Sequence, residues 1–257
     1  MASNFLTSTA VLTGRSMKHV TRSPDTIITT AVMPIAIMLL FVYVLGGAVI
    51  TDQPAGSGSY VDYVLPGILL MTVAMGVSYT AFRLFADLKG GIFDRLHSMP
   101  IARSSVLWAH VLTSLVANLV SVAIVIGVAL IMGFRAGAGV LGWLGVAGIL
   151  LVFTLALTWV AIIAGLAASS IEGATVFSYP LIFLPFISSA FVPTTSMPGP
   201  VRWFAENQPV TSIVNTVRTL FAQQPVGGEI WVALAWCLGI GVVAFAAAMM
   251  VYRKKIA

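Results

Sequence analysis

Ser78, Ser114 and Ser121 place hydroxyl nucleophiles inside long apolar runs, with His110 in the same stretch of chain. Hydrolysis within such a run needs a nucleophile with a base at its own depth. His110 lies toward the end of its run, so no base is expected at the depth of the serines, and no catalytic residue is assigned. Cys237 is the single cysteine. It rules out an intrachain disulfide and any metal centre built on paired cysteines, and its apolar setting makes it a packing residue. Neither H-E-x-x-H nor any paired set of metal ligands occurs. Lys18, Lys89, Lys254 and Lys255 all lack the G-x-x-x-x-G-K-[S/T] setting that cradles a nucleotide phosphate. Neither an enzyme activity nor a cofactor is expected on this chain. If it moves anything uphill, a separate chain must supply the energy.

The elements that hold these residues are set by composition. Of 257 residues, 59% are hydrophobic and only 8% charged, about a third of the charge of an ordinary soluble domain. Mean hydropathy is +1.03. A soluble enzyme, a nucleic-acid-binding domain and a disordered chain are excluded; a polytopic all-α membrane protein remains. Six stretches are long and apolar enough to span a bilayer, at residues 26–50, 62–85, 105–134, 141–168, 174–192 and 230–252. The boundary between the third and fourth rests on the short turn Arg135-Ala136-Gly137-Ala138-Gly139. Residues 1–20 are too polar to contain the apolar core of a cleavable signal peptide.

Orientation follows from the basic residues. Ten of 13 (Arg15, Lys18, Arg22, Arg83, Lys89, Arg95, Arg103, Arg253, Lys254 and Lys255) fall on one side, and Arg135, Arg202 and Arg218 on the other. The positive-inside rule makes the first side cytoplasmic. An even number of spans requires both termini on one side, and both are basic. Asp62, Arg83 and His110 lie near span ends, and no ionisable residue occupies the middle of a span. That pattern disfavours an ion-coupled carrier, which keeps a carboxylate or broken-helix ion site near the midplane.

Three segments fall outside the plain spans. Residues 4–20 project as a two-faced helix, with Phe5, Leu6, Ala10, Leu12, Met17 and Val20 opposed to Thr7, Ser8, Arg15, Lys18 and His19, and Val11 as the misfit. Such a helix lies flat at a membrane interface. The loop 87–99 carries Ile92, Phe93, Leu96 and Met99 at helical spacing within charged flanks. It reads either as a docking helix, with Ile92, Phe93 and Leu96 filling a partner's groove and Asp94 and Arg95 fixing register, or as a basic loop on the bilayer. Residues 193–229 hold Trp203, Phe204 and a helical-period run from Val210 to Phe221, punctuated by Pro198, Pro200 and Pro209. This predicts a re-entrant pair of short helices on the outer side. Pro180 and Pro185 should kink the preceding span.

In this order, these features resemble the membrane permeases of type-2 ABC exporters, in particular the daunorubicin-resistance-like permeases of bacteria. The likeness covers essentially the whole chain. It rests on the amphipathic N-terminal helix, the loop Asp87-Leu88-Lys89-Gly90-Gly91-Ile92-Phe93-Asp94-Arg95-Leu96 with Ser98-Met99-Pro100-Ile101, and the six spans. It rests also on Met197-Pro198 through Asn207-Gln208-Pro209-Val210 with Val217-Arg218-Thr219-Leu220. Lys89-Gly90-Gly91 departs from the Glu-Arg-Gly type sequence commoner in the family. The resemblance implies that Asp87, Ile92, Phe93, Asp94, Arg95, Leu96 and Met99 form a coupling helix seated in a cytoplasmic ATPase, present in two copies and binding ATP and Mg. It implies a second permease, identical or related, and a path lined by the first, second and fifth spans. Phe41, Tyr43, Tyr79, Phe82 and Phe183 are candidate path residues. Trp203, Phe204, Asn207, Pro209, Arg218 and Phe221 belong to an outer gate. The implied function is ATP-driven export of a hydrophobic or amphiphilic compound (drug, antibiotic or lipid) across a bacterial cytoplasmic membrane. The alternative is a non-transporting membrane scaffold that docks a cytoplasmic partner through residues 87–99.

Overall fold

A computed structural model of the chain describes residues 5–22, 24–46, 60–91 and 104–256. The described residues form helices and turns, without strands. α1 spans Phe5–Arg22 and α2 Pro24–Leu39, the latter continued by a π-helical turn over Leu40–Leu45. α3 (Tyr60–Lys89), α4 (Ser104–Ile131), α5 (Val140–Ala167) and α10 (Glu229–Ile256) are the long helices. Between α5 and α10 lie α6 (Ile171–Thr175), α7 (Ser178–Phe183), α8 (Gly199–Asn207) and α9 (Pro209–Phe221).

Among the described residues four helices are long and apolar enough to cross a membrane, and they coincide with the second, third, fourth and sixth expected spans. The first and fifth differ. Their apolar helical stretches, Thr30–Val44 and Ile171–Ile187, are shorter. In the fifth, the expected kink is a break. α6 ends at Thr175, α7 at Phe183, and a 3-10 turn over Leu184–Ile187 gives way to extended backbone at Ser188. Pro180 and Pro185 remove two amide donors from the helical hydrogen-bond ladder. The turn after α4 is Gly-dependent: Gly133 has φ +102°, which a residue with a Cβ rarely adopts.

α3 is the central element. From Val64 to Ala74 every residue is buried, as expected of a helix that is apolar all round. It packs against α2, α4, α5 and α9. Close approach is built on small residues. A Cβ on Gly165 of α5 would stand 2.8 Å from the Ala81 carbonyl oxygen of α3, and one on Gly142 3.0 Å from that of Leu220 of α9. α10 packs mainly on α5 and α9 and leaves Leu238, Val242, Val243 and Met250 exposed, a face suited to lipid.

The bundle has two chemically different ends. At one, Arg135 N donates to Asp62 Oδ1 at 3.3 Å, and α9 packs against α3, α5 and α10. At the other lie Arg83, Lys89, Arg253, Lys254 and Lys255, and Lys255 Nζ donates to the Leu166 carbonyl at the end of α5. α1 packs along α4. Thr9 is buried and Leu12 packs into the core beside it, whereas Val11 is exposed, as its misfit position predicts. Ala10, expected on the apolar side, is also exposed.

Candidate functional site

The first, second and fifth apolar segments meet at an aromatic ladder. Phe41, in the π-helical turn, stacks on Phe191 at 4.5 Å between ring centroids. Phe186 stands 4.9 Å from Phe191 and 6.1 Å from Phe183. Tyr60 at the start of α3 donates its hydroxyl to the Phe191 carbonyl at 3.3 Å, and the absence of a Cβ at Gly67 admits Ala190 and Phe191 to α3. The ladder thus joins Phe41 and Phe183 and adds Phe186 and Phe191, which the sequence reading did not single out. The break in the fifth segment had hidden them, because two residues five apart do not share a face on a regular helix. The other candidates fall elsewhere. Tyr79 and Phe82 pair with each other on α3 at 5.7 Å. Tyr43 is 68% exposed on the π-helical turn. That turn matters because π-bulges open a helix's own hydrogen-bond ladder and recur at functional positions.

The outer-gate candidates divide in two. On α8, Trp203 is 69% exposed, Phe204 is exposed, and Asn207 Nδ2 donates back to the Trp203 carbonyl at 2.8 Å. Arg202 Nε donates to Glu206 Oε1 at 2.8 Å; with Thr194 as a second donor, this holds the Glu206 carboxyl below the usual glutamate range. Pro209 opens α9 at a position where its missing N–H has no helical partner to lose. At the other end of α9, Phe221 is buried edge-on against Phe134 (5.1 Å) and Trp143 (5.2 Å). Arg218 is the tie. Its guanidinium lies 4.0 Å from the centre of the Tyr63 ring and donates to Asn215 Oδ1 (3.1 Å), the Tyr63 carbonyl (3.1 Å) and the Ser189 carbonyl (2.8 Å). One side chain therefore fastens α9 to α3 and to the chain following α7.

At the basic end, Asp87 Oδ2 lies 3.3 Å from His110 Nε2, which joins the last turns of α3 to the first turns of α4. Asp87 is the one coupling candidate among the described residues; Ile92, Phe93, Asp94, Arg95, Leu96 and Met99 lie outside them. The Asp87–His110 contact sets the spacing of the two helices from which residues 92–103 run.

His110, Ser114 and Ser121 line one cavity between α2, α3 and α4, and His110 and Ser121 are separated by about 16 Å along α4. His110 Nε2 faces Asp87, and the Ser114 hydroxyl is engaged by Thr80 at 2.8 Å and by Thr158 at 3.2 Å.

The profile of the ABC-2 type transporter family matches residues 7–222, from the first turn of α1 to just past the end of α9. The chain belongs to that family. It is 29% identical over 247 residues to the daunorubicin resistance ABC transporter permease protein DrrB1 of Streptomyces coeruleorubidus, covering 94% of this chain and 84% of that protein. It is 28% identical over 253 residues to the probable doxorubicin resistance ABC transporter permease protein DrrC of Mycobacterium tuberculosis, covering 97% of this chain and 90% of that protein. This permease is therefore a multi-pass membrane protein of an ABC transporter, and the family implies an ABC ATPase as its partner. The aromatic ladder, the Arg218 tie and the Asp87–His110 contact all lie within the matched region.

Proposed function

We propose that this chain is the permease subunit of an ATP-driven exporter that moves a hydrophobic or amphiphilic compound out of a bacterial cell across the cytoplasmic membrane. The observation that carries the reading is the match along nearly the whole chain to two permeases named for daunorubicin and doxorubicin resistance. The first and fifth apolar segments complete six spans, with both termini cytoplasmic. The basic end, with Lys89, Arg253, Lys254 and Lys255, supports that orientation.

In this reading two ATPase copies, holding ATP and Mg, serve two permeases, identical or related. Residues 87–99 are the coupling helix. Ile92, Phe93, Leu96 and Met99 seat in the ATPase, while Asp94 and Arg95 set the register. Asp87 anchors the loop through His110. Cargo passes along the surface where the first, second and fifth segments meet, close to Phe41, Phe183, Tyr79 and Phe82, and Tyr43 faces the second permease or lipid. α8 and α9 form the outer gate. Transport requires that the nucleotide-driven states differ in their contacts with cargo, and the broken fifth segment with its neighbouring π-helical turn is the least regular part of the bundle and the best placed to rearrange.

The test is ATP-dependent accumulation of a fluorescent amphiphile in inside-out vesicles carrying the permease and its ATPase. Accumulation should need both chains and collapse on reversing the charge of Asp94 or Arg95. Accumulation driven by an imposed ion gradient without ATP, or none with both chains present, would overturn the proposal.

A further inference from the structure

Where the fifth segment breaks, its last carbonyls lose the donors that a continuous helix would supply. A buried carbonyl without a donor is expensive, so the groups that replace those donors are informative. Ser188 Oγ donates to the Pro185 carbonyl at 2.6 Å and accepts from Ala190 N at 3.1 Å. Arg218 donates to the Ser189 carbonyl at 2.8 Å. The remaining two carbonyls share one donor. Gln208 Nε2 donates to the Ile187 carbonyl and, at a longer 3.4 Å, to that of Leu184. Among the described residues no main-chain N–H replaces it at Ile187, because the backbone runs extended at Ser188 (φ −136°, ψ −178°).

Gln208 stands at the joint of α8 and α9, where extended backbone (φ −92°, ψ 153°) ends one helix and starts the other. A helix start at this position usually takes Ser, Thr, Asn or Asp, whose short side chains cap the first amides. Gln208 makes no such cap. Its longer side chain turns away from α9 and is buried against the break. Carbonyls can only accept, which fixes Nε2 as the end of the amide that faces them. Oε1 is left buried with no hydrogen-bond partner. The amide therefore gains two bonds and strands one acceptor, and the stranded acceptor offsets much of the gain. Such a contact holds the break in place without locking it.

Phe186 lies between the two carbonyls that Gln208 holds. Its ring is 4.9 Å from Phe191, 6.2 Å from Phe41 and 6.1 Å from Phe183. Exposure rises along the ladder, from 2% at Phe191 through 37% at Phe186 to 60% at Phe183. The rings that a ligand could reach are thus the ones whose backbone this amide fixes. We infer that Gln208 is a positioning residue for the cargo surface: it holds the break in the geometry that lines up Phe183 and Phe186 with Phe41, and so sets the apparent affinity for cargo. It need not touch cargo itself. A protein whose binding arrangement is only partly populated binds more weakly by that fraction, and the Gln208 contact sets the fraction. The inference rests on the export reading for the role of the ladder, and adds to it a residue that tunes cargo affinity from outside the ladder.

Gln208→Met keeps the length of the side chain and removes its donors. Two readouts are taken on the full permease–ATPase complex. In lipid nanodiscs, hydrogen–deuterium exchange of peptides covering residues 184–192 should quicken roughly tenfold, the ratio one net hydrogen bond gives. In inside-out vesicles with a dansyl-labelled fatty amine as cargo, the half-saturating concentration should rise by the same factor of roughly ten. The maximal rate should stay within about twofold of wild type, because saturating cargo restores the arrangement it binds. Thr211→Val removes the bond from Thr211 Oγ1 to the Ala205 carbonyl, which ties α8 to α9 without reaching the break; it should leave exchange of residues 184–192 unchanged. If Gln208→Met yields no monodisperse complex, Gln208→Asn, one methylene shorter and able to reach one carbonyl only, should move both readouts the same way by less. Unchanged exchange of residues 184–192, exchange raised equally by Thr211→Val, or a lower maximal rate at unchanged half-saturation would overturn the inference. Wild-type accumulation with a half-saturation that Gln208→Met leaves unchanged defeats this inference only. No ATP-driven accumulation by the wild type, with exchange still responding to Gln208→Met, defeats the export reading and leaves Gln208 as the residue that holds the break.

Discussion

Replacing Arg218 by lysine keeps the charge and removes the fork. In the native protein the guanidinium donates to two carbonyls on other segments, Tyr63 at 3.1 Å and Ser189 at 2.8 Å, and to Asn215 on α9 itself, and stacks on Tyr63. A lysine ammonium is a point-like donor at the end of a flexible stem and has no plane to stack. It can reach one of the three acceptors well. Of the two bonds that cross to other segments it therefore loses about one, worth ~1.5–3 kcal/mol, together with the stack on Tyr63, worth about 0.5–2 kcal/mol. Relaxation of the shorter contact set offsets part of that, leaving a net cost of about 3 kcal/mol for opening α9. At 1.4 kcal/mol per decade this is roughly a hundredfold rise in the population with α9 detached. Hydrogen–deuterium exchange on the full chain in nanodiscs reads it directly. Amides of α9 should exchange roughly a hundredfold faster in Arg218→Lys, while those in the middle of α5 keep their wild-type rates. Exchange of α9 within about threefold of wild type would refute the idea that Arg218 holds this segment to α3.

The other predictions concern separate parts of the molecule. Gly165→Ala forces a Cβ to 2.8 Å from the Ala81 carbonyl and should cost about 1–3 kcal/mol, seen as a lower midpoint for thermal loss of monodispersity, whereas Gly148→Ala, with nothing within 4 Å, should not shift it. His110→Leu breaks the 3.3 Å contact with Asp87 and should lower the amount transported per ATP hydrolysed with little change in the ATPase rate itself. Glu206 should titrate below an ordinary glutamate. Because its folded-state pKa is lowered, its link to Arg202 is intact above the ordinary glutamate range and is lost as pH falls through the lowered value; Arg202→Gln should move the titration upward, as read by carbon-13 NMR of the labelled carboxyl.

Much of the architecture was readable because its signals are long and additive. Runs of more than 20 apolar residues marked α3, α4, α5 and α10 to within a few residues, and the helical spacing from Val210 to Phe221, with proline at 209, marked α9. Where a single residue decides the geometry, sequence was less informative. Pro180 and Pro185 announced a kink, but whether a pair of prolines bends or breaks a helix depends on what can satisfy the freed carbonyls. The break that results is what assembles Phe183, Phe186 and Phe191 beside Phe41. The outer-gate set mixed exposed Trp203 with buried Phe221 because periodicity finds a helix face without saying what covers it. Arg218 could be noticed as a lone cation in an apolar setting; its acceptors, two of them main-chain carbonyls far away in sequence, could not. The cavity between α2, α3 and α4 left no sequence signature, since serine, threonine and asparagine in a span are usually satisfied by their own helix, as Thr72, Thr113 and Thr154 are here.

The central claim is that this chain is a permease driven by a separate ATPase docked on residues 87–99. Affinity purification of the full chain from its native host in mild detergent, with the accompanying chains identified and weighed, tests it most directly. The account predicts a Walker-motif ATPase in near-stoichiometric amount, lost on Arg95→Glu while the permease stays monodisperse. A permease that emerges without any ATPase under several mild detergents, or an ATPase retained equally by Arg95→Glu and by Asp94→Lys, would contradict it.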